Sequence, residues 1–186
     1  MFPVTLPNAL TVLRILLVPV VVVALLMETP HGDTIAAVVF ALAALTDGLD
    51  GYLARSRGSV SDFGKLMDPI ADKLLIVAAL VALVALGRLA AWIAVVIIAR
   101  EFAVTVLRGV AAERGIVMQA NMLGKIKTVF QIVAVIALIA NDPAPIWADV
   151  LVYLALAFTV VSGLEYFFGI QRKFSQREDS KPGKQA

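Results

Sequence analysis

The sequence predicts an all-α membrane protein with six transmembrane helices. Of its 186 residues, 61% are apolar and 16% are charged, whereas an ordinary soluble domain is nearer half apolar and a quarter charged. A soluble domain of this length could bury a core, but it could not hide this much apolar surface. The apolar residues also fall into six segments, each near the ~20 residues that cross a hydrocarbon core of about 30 Å.

The predicted spans cover residues 8–27, 34–54, 66–87, 89–112, 121–140 and 146–169. Residues 1–171 are predicted to form one transmembrane domain, and the basic segment 172–186 a disordered cytoplasmic tail. The first span does not resemble a cleaved signal peptide, because such a peptide starts with a basic region and the first basic residue here is Arg14. The third span is less regular, since its apolar run is uninterrupted only over residues 74–86.

The composition excludes several classes of function. There are no cysteines, which rules out a disulfide framework, a thiolate zinc site and a cysteine nucleophile. The single histidine, His31, lies in a short polar stretch between two apolar runs and is interpreted as a loop residue. The net charge of +2 is too small to indicate a nucleic-acid partner.

The distribution of lysine and arginine predicts the orientation of the spans, because these residues accumulate on the cytoplasmic side of a membrane. If both termini are cytoplasmic, fifteen of the sixteen Lys and Arg residues lie at or towards the inner side. Arg88 alone is then outside. The outer loops carry Glu28, Asp33, Asp142 and Asp149.

With this orientation, the charges within the spans fall in the inner half of the membrane, apart from Asp149 at the outer end of the sixth span. The residues are Arg14, Asp47, Asp50, Asp68, Asp72, Lys73, Arg100, Glu101, Arg108, Lys125, Lys127 and Glu165. Ionisable groups at membrane depth cost several kcal/mol unless they are paired or hydrated. One polar cavity open to the cytoplasm would satisfy them together. The alternative is that each charge reaches the interface separately, which suits lysine and arginine better than the short aspartates.

Four aspartates dominate the stretch from the second to the third span. Asp47 and Asp50 are three residues apart, and Asp68 and Asp72 are four apart, so each pair shares one face of a helix. Four adjacent carboxylates repel one another unless cations lie between them. Oxygen ligands favour hard ions such as Mg²⁺ or Mn²⁺, and carboxylate sites for Mg²⁺ usually complete their coordination with substrate phosphates. The residues therefore predict a pair of metal ions acting on a phosphate-containing substrate.

These residues resemble the signature of the CDP-alcohol phosphatidyltransferase family, D-x2-D-G-x2-A-R, seven to twelve residues, then G-x3-D-x3-D. Every fixed position of that signature is matched, by Asp47, Asp50, Gly51, Ala54, Arg55, Gly64, Asp68 and Asp72. The six-span layout is also similar to that family. The resemblance extends over the chain as far as about residue 171.

The resemblance implies transfer of a phosphatidyl group from CDP-diacylglycerol to an alcohol, with release of CMP. It assigns the four aspartates to two ions of Mg²⁺ or Mn²⁺, and it gives Asp72 the additional role of general base. It implies nucleotide contacts for Gly51, Ala54, Arg55 and Gly64, and Asn8 in the segment P-N-A-L-T-V-L-R is added to that set. It further implies a homodimer in the plasma membrane of a bacterium, with the active site facing the cytoplasm.

Further matches to bacterial members, in R-E-F-A-V-T-V-L-R and G-K-I-K-T-V-F-Q, point to glycerol 3-phosphate as the acceptor. These segments hold Arg100, Arg108, Lys125 and Lys127, and fixed cations suit an acceptor phosphate. Because Lys125 and Lys127 are two residues apart, only one of them is expected to point into the cavity. The alternative interpretation is that these cations only set topology. Inositol phosphate and phosphatidylglycerol remain alternative acceptors.

Two other classes of function, an ion transporter and a purely structural membrane protein, fit the sequence less well. Acidic residues at membrane depth can form an ion path, as in a transporter, but these acids lie at one edge of the membrane and the two halves show no matching broken helices. A purely structural membrane protein would leave four close aspartates without a reason. The sequence therefore favours the transferase.

Overall fold

The backbone is helical almost throughout. The structure, a computed structural model, describes residues 6–27, 29–57, 62–114 and 122–179. These residues form six helices: α1 Leu6–Leu26, α2 Gly32–Arg57, α3 Asp62–Ala85, α4 Ala91–Glu113, α5 Met122–Ala140 and α6 Ile146–Asp179. The predicted all-α class is confirmed, and each predicted span coincides with one helix.

Three of the described helices, α1, α5 and α6, are long and apolar enough to cross a membrane. Among the residues whose side chains the structure describes, α2 and α3 contribute the further apolar stretches Gly32–Thr46 and Lys73–Ala85. The protein is thus an all-helical membrane protein. That all six helices cross the bilayer, and with which orientation, stays a prediction.

A core of aliphatic and small side chains joins the helices. The most extensive contacts pair α5 with α6, and α1 with both α2 and α3. Large core residues such as Phe40 and Leu138 alternate with fully buried alanines such as Ala36, Ala43 and Ala79, and small residues let helix backbones approach closely in a membrane. Large apolar side chains also point outwards on every helix, as expected where lipid replaces water.

The loops after α3 and α5 meet the first turn of α2 at the end of the helices remote from the aspartates. Gly87, with φ of 72°, ends α3 in a left-handed turn closed by hydrogen bonds from Gly87 N to Val84 O and from Arg88 N to Leu83 O. This turn directs Arg88 between Asp33 and Asp142, at 3.0 and 2.9 Å. Burial lowers the pKa of Arg88, but the hydrogen bond and charge of Asp33, followed by those of Asp142, outweigh it and raise that pKa.

The prediction of a disordered segment 172–186 is wrong for residues 172–179, because α6 continues to Asp179. The sequence there is rich in helix-forming Gln, Arg, Lys and Glu and contains neither Gly nor Pro. Phe174 packs against a small cluster that contains Val104 and Ala111 of α4. The guanidinium of Arg114 lies 4.8 Å from the centre of the Phe174 ring, so α4 and α6 stay in contact beyond the predicted span.

Candidate active site

A cavity of about 400 Å³ lies between α3, α4, α5 and α6. All four cations that the sequence assigned to an acceptor phosphate line it: Arg100, Arg108, Lys125 and Lys127. Lys73 of α3 lines it as well. The expectation that only one of the two α5 lysines would reach the cavity is wrong, because a flexible four-carbon stem lets a lysine reach beyond its own helix face.

Glu101 organises the deep end of this cavity, which we define as Arg100, Glu101 and Lys127. One carboxylate oxygen of Glu101, Oε1, accepts a hydrogen bond from Lys127 Nζ and another from Arg100 Nη1 at 3.2 Å. Lys127 is 4% exposed, and Arg100 and Glu101 are also mostly buried. A single carboxylate therefore lies between two cations, where the low dielectric of a buried site strengthens their attraction.

The guanidinium of Arg100 is also fixed to α6. Its Nη2 donates to Ser162 Oγ at 2.8 Å, and its Nε donates to the Thr159 carbonyl oxygen at 3.2 Å. The stem of Arg100 crosses α6 at Gly163, where an added Cβ would lie 3.1 Å from Arg100 Cγ. The Arg100 side chain thus has partners on α4 and α6 and serves as a link between these helices.

Arg108 and Lys125 form the rim of the cavity and are exposed. Arg108 Nε donates to the hydroxyl oxygen of Tyr166 at 2.9 Å, and its guanidinium carbon lies 4.8 Å from the centre of that ring. Because Tyr166 is buried, it holds the arginine in one orientation. The two terminal nitrogens of Arg108 have no hydrogen-bond partner among the described residues, and neither has Lys125 Nζ, so both can receive an anion.

A smaller chamber of about 50 Å³ adjoins the cavity, and Lys73, Glu101, Lys127 and Thr128 line both. Arg14 also lines it; this arginine is fully buried and donates through Nε to the Ala43 carbonyl oxygen at 3.3 Å. Ala43 precedes Asp47 by one helical turn, and Lys73 directly follows Asp72. The smaller chamber is therefore lined by residues of α2 and α3 that are close in sequence to the aspartates.

The aspartates themselves lie on helices of the described backbone, Asp47 and Asp50 on α2 and Asp68 and Asp72 on α3. Their side chains lie outside the part of the chain that the structure describes. The same holds for the surroundings of the other predicted site residues, Asn8, Gly51, Ala54, Arg55 and Gly64. Among the side chains that the structure does describe, no group of three His, Cys, Asp or Glu residues could hold a metal ion. The donor chemistry still fits divalent metal, because α2 and α3 are in contact and carry carboxylates at helical spacing.

Sequence reasoning missed the contributions of Glu101, Ser162 and Tyr166. The sequence identifies Glu101 as a charge within a span but does not indicate its partners. On α6, the polar residues Thr159, Ser162 and Tyr166 are spaced three and four residues apart within an apolar helix. That spacing places them on one face and was a usable signal for a polar contact with another helix.

Comparison with known families decides the class of this site. A model described as CDP-alcohol phosphatidyltransferase matches residues 4–161. The chain belongs to this family. The matched region includes every residue of the predicted site, whereas Ser162 and Tyr166 lie just beyond it. Membership of the family makes the chain a membrane phosphatidyltransferase, which removes the transporter and the purely structural protein as alternatives.

Several curated relatives are similar over most of their length. The chain is 45% identical over 179 residues to the CDP-diacylglycerol–glycerol-3-phosphate 3-phosphatidyltransferase of Bacillus subtilis (strain 168), with 87% of this chain and 93% of the relative covered. It is 42% identical over 166 residues to a probable phosphatidylglycerophosphate synthase of Mycobacterium tuberculosis (strain H37Rv), with 87% and 79% covered. An enzyme of Rickettsia felis with the same name as the first is 34% identical over 175 residues, with 91% and 97% covered.

Proposed function

We propose that this protein transfers the phosphatidyl group of CDP-diacylglycerol to sn-glycerol 3-phosphate, giving phosphatidylglycerophosphate and CMP. The observation that carries the proposal is the cation-lined cavity, which suits a phosphorylated acceptor and adjoins the helices of the four aspartates. The names of the similar enzymes from Bacillus subtilis and Rickettsia felis support the same acceptor.

The proposed roles of the aspartates follow from the chemistry. Asp47, Asp50, Asp68 and Asp72 would hold two ions of Mg²⁺ or Mn²⁺, which offset negative charge on the phosphates when bound. Asp72 would also accept the proton of the attacking acceptor hydroxyl. Gly51, Ala54, Arg55, Gly64 and Asn8 are proposed to contact the nucleotide.

The cations of the cavity are proposed to bind the acceptor phosphate. Arg108 presents two free terminal nitrogens, a fork that matches two phosphate oxygens. Lys125 adds a mobile charge at the same rim, while Arg100 and Lys127 contribute positive potential from the deep end. In this arrangement the phosphate is held at the rim and the hydroxyl end of the acceptor extends towards α2 and α3.

The setting of the enzyme is also part of the proposal. The Lys and Arg distribution supports cytoplasmic termini and a cytoplasmic opening of the cavity in a bacterial plasma membrane. A homodimer is proposed from the family resemblance. Inositol phosphate and phosphatidylglycerol are the alternative acceptors, and both carry a phosphate that the same cations could bind.

A panel of acceptors tests this function directly. We expect purified protein in detergent, supplied with CDP-diacylglycerol and Mg²⁺ or Mn²⁺, to release CMP rapidly with glycerol 3-phosphate. Release should be at least about tenfold slower with inositol phosphate, phosphatidylglycerol or serine, because a site that holds one phosphate geometry loses binding energy with another. Mass spectrometry of the lipid product identifies the acceptor. Preferential use of another alcohol would contradict the proposed acceptor while leaving the reaction class intact.

Removal of the Arg108 guanidinium is expected to weaken acceptor binding selectively. Arg108→Ala should raise KM for glycerol 3-phosphate by about ten- to a hundredfold, since a lost charge-assisted hydrogen bond costs about 1.5–3 kcal/mol. KM for CDP-diacylglycerol should change far less. Initial rates over both substrate concentrations give the two constants.

Arg114→Ala is the matched control for this variant. Arg114 directly follows α4 and also contacts an aromatic ring of α6, that of Phe174, but it is not among the residues that line the cavity. Its acceptor KM should stay within about twofold of the wild-type value. Equal effects of the two substitutions would show that Arg108 acts by linking α4 to α6, and Lys125 would become the next candidate for the phosphate.

A further inference from the structure

We propose that Glu101 acts as a built-in anion, which occupies the deep end of the cavity and keeps the acceptor phosphate at the rim. This inference rests on the proposed acceptor. It assigns to the acceptor site a residue that determines where along the cavity the phosphate binds. Among the described residues that line the cavity, Glu101 is the one acidic side chain, against five cations.

The geometry of the deep end favours an anion at the position of the Glu101 carboxylate. Two cations converge on a single oxygen, Glu101 Oε1, as they would converge on an oxygen of a bound phosphate. Lys127 is almost completely buried and donates to Glu101 Oε1, and a buried charge is stabilised by an opposite charge in hydrogen-bond contact. Glu101 therefore fills a position that would otherwise attract an anion.

The deep end and the rim differ in the hydrogen-bond partners of their cations. The cations of the deep end have protein partners, since Arg100 bonds to Glu101, Thr159 and Ser162 and Lys127 bonds to Glu101. Arg108 and Lys125 at the rim keep free donors and are exposed. Arg100 and Arg108 are eight residues apart on α4, or about 12 Å along the helix.

The position of the phosphate determines whether the acceptor is productive. A phosphate bound at the deep end instead of the rim would displace the acceptor hydroxyl from its reactive position, and misplacement by about 1 Å can already cost a hundredfold in rate. Excluding the phosphate from the deep end is therefore a positioning role.

Glu101→Gln provides the test, because it keeps the size of the side chain and removes its charge. Arg100 and Lys127, no longer bonded to a carboxylate at position 101, should then bind phosphate non-productively, so that kcat and KM for glycerol 3-phosphate fall together by about tenfold. Their ratio kcat/KM should stay nearly constant, because non-productive binding changes neither the free reactants nor the transition state. The inhibition constant of inorganic phosphate and its Kd, measured by titration calorimetry, should fall by a similar factor.

Three further variants sharpen the result. Glu101→Gln combined with Lys127→Met should lose the extra phosphate affinity of the single variant, since the second cation of the deep end is gone. Glu101→Asp keeps the charge but withdraws it by one methylene, so it should change kcat and KM in the same direction by only about two- to threefold; it also serves if the Gln variant fails to fold. Glu113→Gln, an exposed position on the same helix, should match the wild type.

Two results would overturn the proposal. A rise in acceptor KM without a fall in kcat would mean that Glu101 supports cations that bind the acceptor directly, and unchanged kinetics with unchanged phosphate affinity would mean that Glu101 has no such role. The proposed function is judged separately, on product formation by the wild-type protein in the same assay. Calorimetry with inorganic phosphate reports on Glu101 even if the acceptor is another alcohol.

Discussion

Asp72→Asn is expected to lower turnover by about 10²–10⁴ while leaving CDP-diacylglycerol binding within about tenfold of wild type. The acceptor hydroxyl is a weak nucleophile and must lose its proton as it attacks the lipid-side phosphorus. CMP leaves without needing a proton, so the reaction requires one base and no general acid. Asp72 lies one helical turn beyond Asp68 on α3, and asparagine keeps its shape while losing the basic oxygen.

Asp47→Asn is the matched comparison for this variant. Asp47 is proposed to bind metal without taking a proton, so its substitution should weaken metal and CDP-diacylglycerol binding together. Lipid binding and single-turnover CMP release, measured on both variants, separate the two roles. Near-normal turnover by Asp72→Asn would remove the general-base role and leave Asp72 as a metal ligand.

Removal of divalent metal is expected to abolish activity completely. Four carboxylates that lie close together repel one another in the absence of cations, and the phosphates of the substrate add further negative charge. After dialysis against excess EDTA, CMP release should be undetectable, and Mg²⁺ or Mn²⁺ should restore it. A titration with each ion gives its apparent affinity.

The control for the chelation experiment is addition of EDTA already saturated with Mn²⁺, which can remove neither Mg²⁺ nor Mn²⁺ and so tests for effects of the chelator itself on the detergent-solubilised protein. Full activity of the dialysed protein in excess EDTA would contradict the metal site. Restoration by Mg²⁺ alone, or by Mn²⁺ alone, would decide between the two ions, which oxygen ligands by themselves do not distinguish.

The helical framework could be predicted well because it depends on local properties of the sequence. Apolar segments of membrane-spanning length marked all six helices, and the predicted fourth span, 89–112, differs from α4 by only one or two residues at each end. The sequence predicts the end of α6 too early, because its apolar residues end at 169 while the helix continues to Asp179. Helix formation continued there because good helix formers follow and Phe174 finds a packing surface on α4.

The sequence by itself determined the chemistry: four aspartates at helical spacing, the family signature around them and a set of cations of the right type for a phosphate. Only the tertiary structure decided which of those cations lie at the deep end of the cavity, bonded to other side chains, and which lie exposed at its rim. Arg100 and Ser162 are 62 residues apart in the chain, and their hydrogen bond depends on the rotation and axial offset of α4 against α6. Periodicity gives the faces of a single helix but not the offset between two helices, which is fixed by close contacts such as that of the Arg100 stem against the backbone at Gly163. For the same reason, the hydrogen bond from Lys127 of α5 to Glu101 of α4 depends on the relative position of the two helices and not on either helix alone.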